Sequence, residues 1–267
     1  MHRFFVPPTV LTGQPVTLTG DQAHQIRRVL RLRLGERVTL LDGRGRACEA
    51  ILVAYGDEDV KFQVVRHWAA TGEPRTHITL FQAVLKGEHF AWALQKGTEV
   101  GVSRFVPTVC ARNVVGDVEA IEQKRKRWER IIQEAAEQSG RARLPELAPT
   151  QLFTQAISSR PAPQAPLTGA GTGGDFPVPR LEREEVGLIL WEGECTMGLY
   201  DALACCNFAG GARIQVFVGP EGGFTNGEVQ LAQRYGVCPV TLGPRTLRAE
   251  TAGVVATALI LYEAGEI

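Results

Sequence analysis

Three segments of this sequence end an apolar run in glycine, and each could hold a ligand through its backbone. Leu188–Trp191 runs into Glu192-Gly193-Glu194. Gln215–Val218 runs into Gly219-Pro220-Glu221-Gly222-Gly223. Pro239–Leu242 runs into Gly243-Pro244-Arg245-Thr246-Leu247-Arg248-Ala249-Glu250-Thr251-Ala252. Glycine leaves peptide N–H and C=O groups uncovered, so a ligand can approach them without a side chain intervening. Such edges suit an adenine rim or an amino-acid moiety. A single GPEGG is equally well explained as a tight turn. Three such loops in succession, the last carrying Arg-x-x-Arg-x-Glu-Thr, point instead to a binding site.

The motifs that are absent narrow the ligand. The sequence has no GxxxxGK[ST] phosphate cradle and no GxSxG nucleophile elbow. It has no GxGxxG placed after a strand at the start of a βαβ unit, so a nicotinamide site is poorly supported. Five scattered histidines, without HExxH or paired spacing, give no metal site. A nucleotide-like ligand held mainly by backbone is what these exclusions leave.

The 267 residues are 44% hydrophobic and 22% charged, with a formal net charge of zero. That is enough chain for one large or two smaller globular domains. Any nucleic-acid contact must then come from local patches, not from overall charge. Six cysteines without a C-x-x-C pair read as reduced thiols of a cytosolic protein. No signal-peptide core and no run of membrane-spanning length is visible.

The elements that must position the loops change character along the chain. Residues 1 to about 70 alternate in β-branched and polar residues, with Asp42-Gly43 as a hairpin-type turn. One short helix, "QAHQIRRVLRL", is expected there with Asp21 as its N-cap. Several short strands and one helix suggest a small barrel. From about residue 76, strand-like and helix-like runs alternate, with strands apolar on both faces. That pattern predicts a parallel sheet covered on both sides, with ligands beyond the strands' C-terminal ends. "IEQKRKRWERIIQEAAEQSG" reads as one long helix, and Thr225 with Glu228 as a capping box. Residues 158–180, rich in Pro, Gly, Ala and Thr, read as a mobile surface insertion.

Four blocks, "LKGEHFAWALQKGTEVGV", "EAAEQSGR", "FVGPEGGFTNGEV" and "LGPRTLRAETA", together resemble the RsmE family. These are SPOUT-class methyltransferases that modify N3 of a uridine, number 1498, in small-subunit 16S ribosomal RNA. The resemblance runs from "HRFFV" to the final helix, outside 158–180 and the extreme C-terminus. It implies an N-terminal PUA-like RNA-binding β-barrel over 1–72. It implies a C-terminal SPOUT α/β domain over 73–267, a parallel sheet flanked by helices whose last segment threads a deep trefoil knot. It further implies a cytoplasmic homodimer using S-adenosyl-L-methionine on 16S rRNA or the small subunit. By similarity the cofactor pocket maps onto Leu190, Gly193, Val218, Gly219, Gly222, Gly223, Leu242, Gly243, Leu247 and Thr251. The chain departs from the family pattern at Ala111 and Asn113 around a retained Arg112, at His89, and at Gly97. These departures bear on the RNA surface and leave the cofactor pocket untouched.

The implied reaction sets requirements. The imide N3 must lose a proton while negative charge spreads to O2 and O4, so a base or an electrostatic stabiliser belongs at the imide. An arginine stays charged and presents a planar fork of donors. Arg245 and Arg248 in the last loop, Arg112 and Arg141 are candidates, and Glu221 or Glu250 could act as base or balance the sulfonium. Between Gln22 and Arg46 stand Arg27, Arg28, Arg31, Arg33, Arg37, Arg44 and Arg46 against only Glu36 and Asp42. That local patch, with Arg3, Lys86, Arg112 and Arg141, is the expected RNA contact. Lys124–Arg127 opens the long helix, where cations oppose the helix dipole, so a partner is plausible there too. Two other readings fit part of the pattern: a non-catalytic RNA-binding protein on the same scaffold, and another nucleotide-using α/β enzyme.

Overall fold

Period-2 apolar patterning in the first 73 residues builds a five-stranded sheet. In the computed structural model, which describes residues 1–114, 117–159, 185–193, 197–204 and 206–267, the chain divides into two units. The first contains Met1–Glu73 with Gln133–Leu144, the second Pro74–Ile132 with Pro145–Ile267.

In the first unit, β1 (His2–Phe5), β2 (Val16–Thr19), α1 (Gly20–His24), β3 (Arg37–Leu41), β4 (Arg46–Tyr55) and β5 (Asp59–Ala69) follow in order. The sheet runs β1-β3-β4-β5-β2, with β1 and β3 parallel and the other pairs antiparallel, an open half-barrel. Phe4, Leu40, Ala50, Leu52, Val60 and Phe62 form its core with Ile26 from the segment after α1. The expected helix from Asp21 is corrected here. Thr19 is the N-cap, α1 ends at His24, and Gln25–Leu30 continue as a π-helix that Arg31 terminates at φ 52°. The turn expected at Asp42-Gly43 is present: the Asp42 carboxylate accepts from the Arg44 and Arg46 N–H groups at 2.8 and 2.9 Å. Residues 133–144 complete the unit. Ala136 packs with Phe5, Leu41 and Ala47, and the Phe5 N–H donates to Glu137 at 3.0 Å.

The second unit runs β6 (His77–Ala83), α2 (His89–Val100), β7 (Arg104–Val109), α3 (Val118–Glu122), α4 (Arg125–Ser139, of which the part from Gln133 belongs to the first unit), β8 (Glu146–Leu147), β9 (Gln151–Leu152), α5 (Phe153–Ser158), β10 (Glu185–Leu190), α6 (Leu199–Leu203), β11 (Arg213–Val218), α7 (Asn226–Arg234), β12 (Val237–Val240) and α8 (Ala249–Glu263). The sheet is parallel throughout, in the order β12-β10-β11-β6-β7-β8, with β9 also on β7. Register explains why these strands are apolar on both sides. Leu80, Val216 and Leu188 align and join Phe90 and Leu94 of α2 and Ala256 and Ile260 of α8 in one core. The next residues, Phe81, Phe217 and Ile189, also align but join Phe153 and Ile157 of α5 and Val229 of α7 in another. Phe81 and Phe217 stack with centroids 4.2 Å apart.

Two further expectations change. The long helix is broken: α3 ends at Glu122 and α4 restarts at Arg125. In the basic cluster that opens α4, Arg125 donates to the Ala148 carbonyl at 3.0 Å and also to that of Leu147, and Arg127 pairs with Glu88. These two cations therefore have partners within the fold. Gly97 is a packing residue, not a surface one, because a Cβ there would lie 2.9 Å from the Phe105 ring. Of the segment 158–180, residues 160–180 lie outside the described residues.

Candidate active site at the ends of three parallel strands

Leu190 aligns with Val218 on one side and Val240 on the other, so β10, β11 and β12 stop at one level. The three glycine loops that follow therefore meet. They line a single cavity of roughly 1030 Å³, with Lys86, His89, Arg112, Ala249, Glu250 and Ala252 completing the wall. Each loop is held in shape locally. Gly223 N–H donates to the Pro220 carbonyl at 2.8 Å, closing a turn whose φ of +66° at Gly223 favours glycine. Gly243 sits at φ +109°, and the Thr241 hydroxyl oxygen accepts its N–H at 3.2 Å. Trp191 N–H donates to the Val240 carbonyl at 3.1 Å, fixing the start of the first loop. The capping box is formed: the Thr225 hydroxyl oxygen accepts from Glu228 N–H at 3.2 Å, and the Glu228 carboxylate accepts from Thr225 N–H at 2.8 Å.

Neighbouring loops brace the central one. Arg112 donates to the Gly222 carbonyl at 2.8 Å, Lys86 N–H donates to the Glu221 carboxylate at 3.0 Å, and Ala111 N–H donates to Glu228 at 2.8 Å. Asn113 clasps the same region, donating to the Val84 carbonyl at 2.6 Å and accepting from Cys110 N–H at 2.8 Å. Burial pushes the Cys110 thiol far up, with the Glu228 charge adding to the effect, so it is no nucleophile.

Nine of the ten residues assigned to the cofactor line the cavity: Leu190, Gly193, Val218, Gly219, Gly222, Gly223, Leu242, Gly243 and Leu247. Thr251, in the first turn of α8, does not. Arg245, Arg248 and Glu221 line it, as do Lys86 and Arg112 from the RNA-contact set. Neither Arg245 nor Arg248 has an ion pair or side-chain hydrogen bond among the described residues. The remaining RNA candidates belong to the first unit. Arg28 and Arg31 are exposed there. Arg27 donates to the carbonyls of Asp57 and Asp59 at 2.7 and 3.0 Å and lies over the Tyr55 ring. Arg3 reaches the Glu137 and Gln138 carbonyls at 3.5 Å. Arg141 is 9% exposed and forms a 2.8 Å ion pair with Glu73. Sequence reasoning passed over Trp191 and Asn226, which line the cavity, and left His89 as a departure without a role. The position of Trp191 at a strand end was the only signal for it.

The lining fits an adenosyl ligand. Leu190, Val218, Leu242 and Leu247 supply apolar surface for an aromatic face, and the glycines supply uncovered peptide edges. No side chain stands where a Cβ of Gly223 or Gly243 would project. Five cations or potential cations, Lys86, His89, Arg112, Arg245 and Arg248, share the wall with Glu192, Glu221 and Glu250. Among the described residues no group of three or more His, Cys, Asp or Glu could hold a metal ion.

Comparison with known proteins agrees with this geometry. Residues 72–261 match the RNA methyltransferase domain model, and residues 18–65 match the RNA methyltransferase PUA domain model. The chain is 33% identical over 261 residues to Ribosomal RNA small subunit methyltransferase E of Synechocystis, covering 97% of this chain and 77% of that protein. It is 28% identical to the Bacillus subtilis protein of the same name, covering 98% and 97% of the two chains. A crystal structure of the Neisseria gonorrhoeae enzyme of that name, bound to S-adenosyl methionine, superposes with a TM-score of 0.81 at 30% identity over 98% of each chain. A Legionella pneumophila methyltransferase in complex with the same cofactor superposes equally well, at 27% identity and 98% coverage of both chains. The fold is therefore a PUA-like sheet joined to a SPOUT α/β unit. The chain belongs to the ribosomal RNA small subunit methyltransferase E family.

Proposed function

We propose that this protein methylates N3 of one uridine, position 1498 in the family's numbering, in 16S rRNA of the small ribosomal subunit, using S-adenosyl-L-methionine. The observation that carries the reading is the convergence of three glycine-bearing strand ends on one cavity that also holds two arginines, Arg245 and Arg248, without ion-pair partners among the described residues. When bound, the cofactor supplies a sulfonium-activated methyl group. The protein's own part is to bind, orient and stabilise charge. Leu190, Gly193, Val218, Gly219, Gly222, Gly223, Leu242, Gly243 and Leu247 hold the adenosyl and amino-acid portions. Arg248 and Arg245 stabilise the charge that develops on O2 and O4 as N3 is deprotonated, and Glu221 balances the cations of the site.

RNA binding falls to residues 1–72 and methyl transfer to 73–267, the latter with the knotted backbone expected of the class. Arg3, Arg28 and Arg31 of the first unit, with Lys86 and Arg112 at the cavity, make up the RNA-binding set, whereas Arg27 and Arg141 are held by partners within that unit. The protein works in the cytoplasm as a homodimer. Support for the dimer comes from α8, which is largely apolar yet leaves Leu259 44% and Tyr262 71% exposed.

The test is mass mapping of small-subunit RNA incubated with the full-length protein and S-adenosyl-L-methionine, as naked RNA and as assembled subunits. One new 3-methyluridine is expected. RNA bound but unmethylated would favour the scaffold reading instead. S-adenosylhomocysteine should raise the melting temperature, whereas ATP and NAD should not.

A further inference from the structure

Among the described residues, four side chains lining the cavity can take up a proton: His89, Glu192, Glu221 and Glu250. They are not equivalent. Glu221 is exposed and already accepts the Lys86 N–H. Glu192 is exposed. Glu250, in the first turn of α8, is 8% exposed, and its Oε1 lies 3.0 Å from Nδ1 of His89 at the start of α2. The His89 side chain remains half exposed. A carboxylate oxygen facing Nδ1 favours the hydrogen on that nitrogen, because an ionised carboxylate can only accept. In the Nδ1–H tautomer the lone pair lies on Nε2. A histidine whose Nδ1 faces a buried carboxylate, at the edge of a binding cavity, is arranged as a directed proton acceptor through Nε2.

We propose that His89, oriented by Glu250, is the general base that deprotonates N3 of the acceptor uridine. The assignment rests on the reading of this cavity as a uridine-N3 methylation site. In the step, the N3–H bond breaks and an Nε2–H bond forms. The N3 electron pair forms the new C–N bond, and the C–S electron pair of the donor leaves with sulfur, which becomes neutral. The imidazolium, stabilised by the Glu250 carboxylate, then returns its proton to solvent. Glu250 is thus a positioning residue, and Arg245 and Arg248 cannot share the base's role because a guanidinium does not give up its charge. Among the other charged groups near His89, Glu88 pairs with Arg127 and Arg112 donates to the Gly222 carbonyl.

Two experiments on the full-length protein test this. In nitrogen-15 NMR of the ligand-free protein, the His89 ring, assigned by its disappearance in His89→Gln, is expected as the Nδ1–H tautomer. An Nε2–H tautomer would overturn the proposal. In single-turnover transfer to small-subunit RNA at neutral pH, His89→Gln is expected to lose about 100-fold in rate. Its affinity for S-adenosylhomocysteine should stay within about twofold of the parent protein. Glu250→Gln should fall between the two. The His89→Gln deficit should narrow as pH rises, because the imide then ionises without help, and added imidazole should restore part of the rate. A deficit constant with pH and deaf to imidazole would mean that the pair only ties α2 to α8, and would overturn the proposal. Full activity of His89→Gln, with the parent protein making 3-methyluridine, overturns this assignment alone. Failure of the parent protein to make it overturns the reading of the site as well.

Discussion

The Arg112 guanidinium donates to the carbonyl oxygen of Gly222 at 2.8 Å, tying a loop after β7 to the glycine turn after β11. Both residues line the cavity, so this bond helps set the shape of the surface a ligand meets. Arg112→Ala should leave the fold intact and weaken S-adenosylhomocysteine binding about five- to tenfold, the effect of one charge-assisted hydrogen bond. Calorimetric titration checks it.

Arg248 is the N-cap residue of α8, it is exposed, and its guanidinium has no partner among the described residues. Arg248→Ala should therefore lower the transfer rate by about 100-fold while cofactor-analogue affinity stays nearly constant. Tritium transfer from labelled donor, measured beside calorimetry, separates the two effects. Unchanged turnover would remove Arg248 from the reaction.

In the first unit the arginines differ in what they are free to do. Arg28 and Arg31 are exposed, whereas Arg27 is engaged with backbone carbonyls at 56, 57 and 59. The double substitution Arg28→Gln/Arg31→Gln should weaken RNA binding and reduce the slope of log affinity against log salt by about two. Arg27→Gln should instead lower the unfolding midpoint. Filter binding across a salt series and urea titration distinguish these outcomes.

Glu73 and Glu137 should act on stability with opposite signs. Burial would raise the Glu73 carboxyl, but hydrogen bonds and charge from Arg141, with the Arg143 and Ala142 N–H groups, outweigh it and hold the carboxyl below its ordinary value of 4.5. A depressed folded value means that this contribution is complete above pH 4.5 and is lost as pH falls through the lower folded value. Glu73→Gln should cost about 3 kcal/mol at pH 7, because it leaves Arg141 buried without its counter-charge. Its stability should also fall less steeply with acid. Burial, with the charge of Glu134, raises Glu137 despite hydrogen bonds from Gln133 and Phe5. Its favourable contribution is therefore present below pH 4.5 and is lost as pH rises through the raised value. Glu137→Gln should be at least as stable as the parent protein at pH 7. Urea unfolding at pH 4 and pH 7 reads both variants.

Much of this molecule is local and so can be read along the chain. Strand runs apolar on both faces, the Thr225–Glu228 capping box and glycines at strand ends follow from residue type and spacing, and they pointed to a parallel sheet with a backbone-lined site. Local pattern misplaced the cap of α1 and ran α3 and α4 together, because helical periodicity survives a two-residue break. Three-dimensional packing decided what spacing could not. It set the parallel register that brings residues 190, 218 and 240 to one level, and it placed residues 133–144 with the first 73. It also sorted chemically identical arginines into buried ion pair, loop brace and free cation, and set His89 against Glu250 across 161 positions of sequence. Hydrogen-bond partners distant in the chain leave no periodic trace, so only folding decides which charges are already spent.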